Sequence, residues 1–240
     1  MRPRLPSLGG REPRCTSAAA YARAERSGRR MPWREASWCV VDLELSGLDP
    51  GRHEIISFGA LPVECGRVQL HHAVTGLARP EGVLSESSIR VHGMRAADLA
   101  DAPPLDAAIV PLLEAMTGRI LVAHAAGVER AFLGPALRRQ GVKLRGPIVD
   151  TITLGQVWLH ERDGSAPPWV SLTALAGLLG LPAERPHDAL GDALTTAQIF
   201  IALATHLDDG HAQTVGSLVR AGRRLASMVA YAGGPGSVSA

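Results

Sequence analysis

Two carboxylates interrupt the apolar segment Trp38–Pro50, whose sequence is WCVVDLELSGLDP. The segment begins like a buried strand and ends in residues typical of turns. Because side chains alternate along a strand, Asp42 and Glu44 point to one face, and Val41 and Leu43 point to the other. Two carboxylates on one face repel each other unless a cation lies between them. Oxygen ligands favour Mg²⁺ or Mn²⁺, so the pair predicts a divalent metal site, although a D-x-E arises about once by chance in a chain of this length.

A histidine and a carboxylate stand close together in the segment PHDALGDAL. Pro186 cannot lie inside a helix, so His187 is predicted on the loop that enters the helix carrying Asp192. A histidine on a loop beside a carboxylate suits a general base, because its unperturbed pKa is about 6.5. A surface histidine beside a helix start is the ordinary alternative. Asp188 is predicted to cap the same helix.

A third acidic position lies in the segment ILVAHAAGVERAFLG. A strand is predicted to end near His124, and the following helix carries Glu129 in its first turn. The helix dipole alone favours a carboxylate there. The residues by themselves therefore leave Glu129 open between a solvated helix-start charge and a functional acid.

The elements that must position these residues form a three-strand meander followed by alternating strands and helices. This order predicts an α/β fold with a mixed five-stranded sheet and helices on both faces. The predicted strands are 38–44, 54–64, 67–74, 119–124 and 146–151, and the predicted helices are about 105–117, 127–140, 151–160, 171–180, 188–207 and 211–231. The stretch between residues 75 and 104 is predicted to be rich in loops.

The composition is that of a soluble globular protein with one main domain. The chain has 240 residues, 46% of them hydrophobic and 20% charged, and a formal net charge of +2. That charge is too small to indicate a nucleic-acid or membrane partner by itself. Three cysteines without metal-ligand spacing indicate reduced thiols in the cytoplasm. No apolar run approaches the roughly 18 residues of a membrane helix, so no membrane association is expected.

Four regions follow from the distribution of residue types. Residues 1–36 are rich in arginine and small residues and are predicted to be a disordered extension, with a basic nucleic-acid-binding arm as the alternative. Residues 1–30 are predicted to be an extension upstream of a start at Met31 and to be dispensable for folding and function. Residues 37–207 are predicted to form the main domain, 208–231 a C-terminal helix, and 232–240 a flexible tail.

Taken in order, the three acidic segments resemble the three motifs of the DEDDh family, the DnaQ-like or RNase T-like 3′→5′ exonucleases that include epsilon-type proofreading subunits. VVDLELSGLDP resembles the first motif, D-x-E-T-T-G. VAHAAGVERAFL resembles the second, V-A-H-N-A-x-F-D-x-x-F-L, and HDALGDA resembles the third, H-x-A-x-x-D. The resemblance extends over about residues 37–205. A single D-x-E is weak evidence, but the ordered set is specific.

The resemblance implies a ribonuclease H-like fold and a reaction that uses two divalent ions, Mg²⁺ or Mn²⁺. By position in the motifs, Asp42 would bridge both ions, and Glu44 and Asp192 would complete the first site. Glu129 stands where the second site's aspartate is expected, and His187 matches the general base. The family also implies substrate contacts at Leu45, Ser46, Gly47 and His124.

The segments depart from the family pattern at three places. Leu45 and Ser46 replace the usual Thr-Thr pair, and Ser46 keeps a hydroxyl. Ala125 replaces an asparagine, and Glu129 is one methylene longer than the usual aspartate. All five catalytic positions still carry ionisable groups of the expected class.

The function implied by the resemblance is hydrolysis of phosphodiester bonds at the 3′ ends of single-stranded DNA or RNA, with release of nucleoside 5′-monophosphates. DNA is the favoured substrate. An exoribonuclease acting on short RNA and a binding module that holds an end without cutting it are the alternatives. The family also raises association with a DNA polymerase, for which the sequence shows no recognisable binding element.

Overall fold

A computed structural model describes residues 12–184 and 187–232, and within these residues the chain forms ten α-helices and six strands. Two further short helical turns, Leu70–His72 and Ala96–Leu99, are of the 3₁₀ type. The strands are β1 Trp38–Leu45, β2 Ile55–Glu64, β3 Arg67–Val68, β4 Val74–Leu77, β5 Ile120–Ala123 and β6 Ile148–Asp150. The helices are α1 Thr16–Arg23, α2 Glu86–His92, α3 Leu105–Ala108, α4 Val110–Met116, α5 Ala126–Arg139, α6 Thr151–Asp163, α7 Leu172–Leu178, α8 Ala189–Gly210, α9 Val215–Val219 and α10 Ala221–Ala232.

The strands form one mixed sheet in the order β3-β2-β1-β5-β6, with β4 also paired to β2. β1 runs antiparallel to β2 and parallel to β5, and β5 runs parallel to β6. The predicted meander and mixed sheet are therefore confirmed. Parallel β1, β5 and β6 bring their C-terminal ends to one edge of the sheet, which is the edge where the acidic residues lie.

The sheet has six strands rather than five, because the strand predicted over 67–74 is interrupted. Pro62 of β2 accepts the Gln69 N–H at 2.9 Å but has no N–H of its own to return. The Gln69 carbonyl instead accepts the N–H of His72 at 3.0 Å, and the chain turns there before β4 begins. One proline thus divides the predicted strand into β3 and β4.

Helices cover both faces of the sheet, as predicted. Trp38 and Val40 of β1 belong to one hydrophobic core, which includes residues of α6, α7, α8 and α9. Cys39 and Val41 belong to a second core on the other face, with residues of α1, α3, α4 and α5. The alternation of β1 side chains therefore assigns one core to each face.

The N-terminal region differs from the predicted disordered extension over residues 12–36. Helix α1 lies against α4, and Ala18 and Tyr21 of α1 are completely buried. Arg145 donates from Nη1 to three carbonyls of this segment, those of Tyr21, Ala22 and Ala24, at 2.8–3.1 Å. The buried Tyr21 and the Arg145 contacts together dock the helix, and composition alone does not reveal either. Residues 1–11 lie outside the described residues.

Three other regions differ from the predicted elements. The helix predicted over 105–117 is divided into α3 and α4, with Pro111 in the first turn of α4. The loop-rich stretch contains α2, which Ser85 caps through its side chain. The C-terminal helix predicted over 208–231 is instead the end of α8 followed by α9 and α10. The tail predicted over 232–240 lies outside the described residues from 233 onward.

The structure also describes all three cysteines and the hydropathy of the helices. Cys15, Cys39 and Cys65 are all free thiols. Burial raises the pKa of the Cys39 thiol to about 12, so it stays protonated inside the core. Among the residues that the structure describes, no helix has the length and apolar character that crossing a bilayer requires.

Candidate active site

The first two acidic residues lie on β1 as the alternation predicts. Asp42 and Glu44 share the face of Trp38 and Val40, which is the face that α8 covers. Gly59 of β2 lies opposite Asp42 in the register. A Cβ at Gly59 would overlap the backbone of the first residue of α8, so glycine lets the start of this helix rest on the sheet. The close approach places the α8 residues beside the two carboxylates.

The start of α8 brings His187 and Asp192 to Glu44. Ligand atoms of these three residues all lie within 4.8 Å of one another. Asp188 caps the helix by accepting the Gly191 N–H at 2.9 Å, as predicted. The backbone N–H of His187 donates to Asp192 Oδ2 at 2.8 Å, and His187 has φ of 65°. A non-glycine residue in the left-handed region is strained, which is common at functional sites.

The carboxyl groups raise one another's pKa values because they are close together and shielded from water. Glu44 is only 7% exposed, and burial, followed by the charges of Asp192 and Asp188, raises its pKa to about 7. Burial raises the pKa of Asp42 well above its usual value, and the charges of Glu129, Glu44 and Asp192 add to the effect. Burial also raises the pKa of Asp192. The sheet and α8 thus hold several acids that cannot all ionise without a counter-charge.

Glu129 belongs to the same group of acids, because its charge acts on Asp42. It lies in the first turn of α5, which begins directly after Ala125, a residue with left-handed backbone at φ of 64°. Glu129 is 4% exposed, so its interpretation as a solvated helix-start charge is wrong. Burial raises its pKa to about 8, and the charge of Asp150 contributes. Its Oε2 atom is buried without a hydrogen-bond partner among the described residues.

This donor set fits divalent cations. A buried carboxylate oxygen without a partner is costly unless a cation or a donor meets it. Carboxylate oxygens are the ligands that Mg²⁺ and Mn²⁺ prefer. Glu44 and Asp192 form one candidate pair of ligands, with His187 beside them. The charges of Glu44, Asp192 and Glu129 all act on Asp42, so Asp42 could take part in sites with either group. The residues present therefore fit the predicted metal ions without fixing their identity.

Two of the four residues predicted to contact substrate line an open pocket. Leu45 and Gly47 border a cavity of about 200 Å³ that also reaches Glu44. The exposed side chains of Leu48 and Val128 lie on the same cavity. An apolar pocket next to a carboxylate is a suitable shape for a flat organic group with a polar end.

The other two predicted substrate residues make contacts within the protein. Ser46 is buried, and its hydroxyl accepts the N–H of Glu54 at 2.9 Å. His124 Nε2 lies 3.1 Å from the carbonyl of Val170, which can only accept, so Nε2 carries the proton. Its Nδ1 then accepts from the hydroxyl of Thr151 at 2.9 Å. Both ring nitrogens of His124 are therefore engaged inside the protein.

Two features of the site were not predicted from the sequence. Asp150 ends β6 beside Ala123 of β5, and its charge acts on Glu129. A carboxylate at the end of a buried strand is the same signal that identified Asp42. Ser88 and His92 of α2 form the second feature: the Ser88 hydroxyl donates to the Leu45 carbonyl and lies 2.9 Å from His92 Nε2. Nothing in the loop-rich stretch indicated that a helix would reach back to β1.

Comparison with known sequences gives consistent matches. The family model for the RNase T exonucleases matches residues 39–200. The DNA polymerase III PolC-type protein of Thermotoga maritima is 31% identical over 169 residues, which cover 70% of this chain and 12% of that protein. The DNA polymerase III subunit epsilon-like protein of Rhodobacter capsulatus is 30% identical over 78% of this chain and 26% of that protein. The chain thus spans only a small part of these relatives. The epsilon subunit of Aquifex aeolicus is 26% identical, over 72% of this chain and 83% of that protein.

Comparison with solved structures supports the predicted ribonuclease H-like fold. Exonuclease X in complex with 5′ overhanging duplex DNA has a TM-score of 0.57 and 21% identity, and the match covers 77% of this chain and 98% of that one. The nuclease domain of 3′hExo, a DEDDh family member bound to rAMP, has a TM-score of 0.56 and 19% identity, with 72% and 92% of the two chains covered. At these identities the likeness concerns the fold alone.

Proposed function

Because the chain belongs to the RNase T exonuclease family, we propose that it removes nucleotides from the 3′ ends of nucleic acid by hydrolysis, releasing nucleoside 5′-monophosphates. The domain responsible is residues 37–207, and single-stranded DNA is the favoured substrate. The proposal covers this chain and not the longer proteins that it matches only in part.

One observation carries the proposal, namely the convergence of acids from three separate segments on one buried cluster. Glu44 comes from β1, Asp192 from α8 and Glu129 from α5. Two Mg²⁺ or Mn²⁺ ions held by these acids and Asp42 would supply the positive charge that lets an anionic phosphodiester approach and that stabilises charge on the departing oxygen. A role in protein contacts alone would not account for the burial of these acids in one cluster.

His187 is the proposed general base. It is exposed at the opening of the cluster, while its backbone N–H is fixed by Asp192. A ring nitrogen of His187 lies within 4.8 Å of carboxylate oxygens of Glu44 and Asp192, where it can accept a proton from an attacking water, and the backbone contact holds the residue in place. General-base assistance of this kind contributes on the order of 10²–10⁴-fold.

The direct test uses single-stranded DNA and RNA oligonucleotides labelled at the 5′ end, incubated with the purified protein and either Mg²⁺ or EDTA. We expect ladders of products shortened from the 3′ end with Mg²⁺, none with EDTA, and faster shortening of DNA. Shortening of RNA alone would favour the exoribonuclease. Retention of the labelled strands without shortening would favour the binding module and contradict the proposal.

The preference for DNA and an association with a DNA polymerase are supported only by the names of the relatives. Three of them are DNA polymerase III proteins or epsilon subunits. We infer that this chain acts on DNA ends in the same setting. Copurification of a DNA polymerase with the tagged protein from its native host is the expected result, and its absence would leave the nuclease proposal intact while contradicting the association.

A further inference from the structure

Trp169 stands exposed beside the site and has no role in the proposed chemistry. Trp169 is 60% exposed, whereas its neighbour Val170 is buried. Single exposed apolar side chains are ordinary on protein surfaces. This tryptophan is unusual because the loop that carries it is held on both sides.

The backbone on each side of Trp169 is fixed by hydrogen bonds. The side-chain amide of Gln156 donates to the carbonyls of Pro167 and Pro168, the two residues before Trp169, at 3.0 and 2.9 Å. His124 Nε2 donates to the carbonyl of Val170, the residue that follows, at 3.1 Å. The indole and the His124 ring form a T-shaped pair, with centroids 6.2 Å apart and planes at 73°. The loop that carries the ring is therefore held in place, and the ring itself remains largely exposed to solvent.

The position of Trp169 follows from the order of the strands. The start of α8, with His187, lies over β2, and Asp42 lies on β1. Glu129 follows β5, and the His124–Thr151 contact that supports Trp169 joins the ends of β5 and β6. Because the sheet order is β2-β1-β5-β6, His187 and Trp169 stand on opposite sides of the carboxylates.

In-line displacement at phosphorus connects these two sides. The attacking oxygen and the leaving oxygen lie opposite each other on the phosphorus. If His187 accepts the proton of the attacking water, the leaving 3′-oxygen faces Glu129. That oxygen belongs to the strand that remains, so the retained strand leaves the site toward the ends of β5 and β6. β6 lies two strand spacings from β1, roughly 10 Å, which is about three nucleotides of stacked strand or fewer of extended strand.

We propose that Trp169 is a stacking platform for an unpaired base within the first three nucleotides of the retained strand. This inference rests on the proposed exonuclease activity. An indole face stacks on any base, so the contact would position the strand without reading its sequence. A flat ring on a loop that is held in place suits this role better than a long flexible side chain, because little conformational freedom is lost on contact.

The test combines substrates that lack one base with variants of Trp169. In a 5′-labelled single strand, an abasic residue is placed in turn at each of the first five positions upstream of the 3′-terminal nucleotide, which removes a base but keeps the phosphate. We expect one abasic position to raise KM for the wild-type protein by about 5- to 150-fold, with little change in kcat. Trp169→Ala should raise KM on the intact strand by a similar factor and abolish the effect of the abasic residue at that position.

Matched variants distinguish stacking from general damage. Trp169→Phe keeps a flat ring and should retain most of the affinity, whereas Trp169→Leu keeps apolar bulk and should behave like Trp169→Ala. Leu70→Ala is the control, because Leu70 is 61% exposed at the far edge of the sheet and should leave KM unchanged. Equal KM values for Trp169→Leu and Trp169→Phe, or an abasic effect that persists in Trp169→Ala, would overturn the inference. Failure of the wild-type protein to shorten any strand would overturn the proposed function instead.

Discussion

At the scale of single residues, the site departs from the family pattern at Ala125, where backbone conformation is concerned, and at Glu129, where the position of a charge is concerned. Ala125 adopts the left-handed conformation that starts α5, with φ of 64°. The family's asparagine tolerates this conformation better than alanine does. Glu129, one methylene longer than aspartate, is nevertheless buried with a free oxygen. The chain therefore combines a left-handed alanine with a buried glutamate where the family pattern has asparagine and aspartate.

Glu129 should be required for activity through its charge. Glu129→Gln keeps the size but removes the negative charge, so we expect severe loss of cleavage and weaker dependence on Mg²⁺. Glu129→Asp keeps the charge on a shorter arm and should retain some activity, with a higher Mg²⁺ requirement or better rescue by Mn²⁺. Rates measured against metal concentration for the three proteins check this, and a Gln variant that matches the wild type at limiting Mg²⁺ would remove Glu129 from the metal site.

His187 should affect turnover more than binding. His187→Ala leaves the backbone N–H that donates to Asp192, so the loop keeps its anchor. We expect kcat to fall on the order of 10²–10⁴-fold with KM little changed. His72→Ala, which removes an exposed histidine on the turn before β4, is the matched control. Near-normal turnover of the His187 variant in steady-state assays would exclude the general-base role.

At the scale of elements, α1 is part of the domain rather than an appendage. Its buried Tyr21 fills the second core, and its hydroxyl accepts the Arg145 N–H at 3.0 Å. Arg14 also pairs with Asp106 at 3.2 Å, so at least one arginine of this region has a partner within the protein. These contacts favour a structural role for residues 12–36 over a free nucleic-acid-binding arm.

Removal of α1 should therefore destabilise the protein. Tyr21→Ala deletes a large buried side chain, and we expect the free energy of unfolding to fall by about 3–5 kcal/mol. Tyr21→Phe removes only the hydroxyl and should cost about 1 kcal/mol. A chain that begins at Met31 loses the whole helix and should be at least as unstable as Tyr21→Ala, whereas one that begins at Glu12 keeps it. Urea denaturation of these four variants and the full-length protein checks the order, and a Met31 chain as stable as the full length would contradict it.

At the scale of the whole molecule, the acidic cluster links folding to pH and to metal. Glu44 and Glu129 have folded-state pKa values of about 7 and about 8, compared with 4.5 in the absence of the fold. Between these values the folded state holds protons that the unfolded state has released. The contribution of these groups to stability is therefore complete below about pH 4.5 and is lost as the pH rises through 7 and 8.

The melting temperature in EDTA should accordingly be lower at about pH 8.5 than at about pH 5.5. The two raised pKa values together correspond to a difference on the order of a few kcal/mol. Saturating Mg²⁺ should raise the melting temperature more at the higher pH, because the ionised cluster binds cations more strongly. The melting temperature of the Glu44→Gln, Glu129→Gln double variant should depend less on pH and less on Mg²⁺. Equal melting temperatures with and without Mg²⁺ at the higher pH would contradict a metal site in this cluster.

The sequence by itself determined the features that arise from neighbouring residues. Strand alternation placed Asp42 and Glu44 on one face of β1, and Asp188 identified the start of the helix that carries Asp192. The order of the motifs led to the family, and the order of the predicted strands and helices led to the mixed sheet. These features depend on periodicity, capping and spacing, which operate within short segments and can therefore be recognised in the amino-acid sequence.

Only the tertiary structure decided the features that depend on residues far apart in the chain. Arg145 meets Tyr21 across 124 positions, and its contacts convert a stretch that looked disordered into a docked helix. Pro62 divides a predicted strand because Gln69 happens to lie opposite it. The burial of Glu129 depends on α5 folding against β1 and β6, and this burial distinguishes Glu129 from a solvated surface charge. In each case the deciding energy comes from a contact whose partner cannot be identified until the chain has folded.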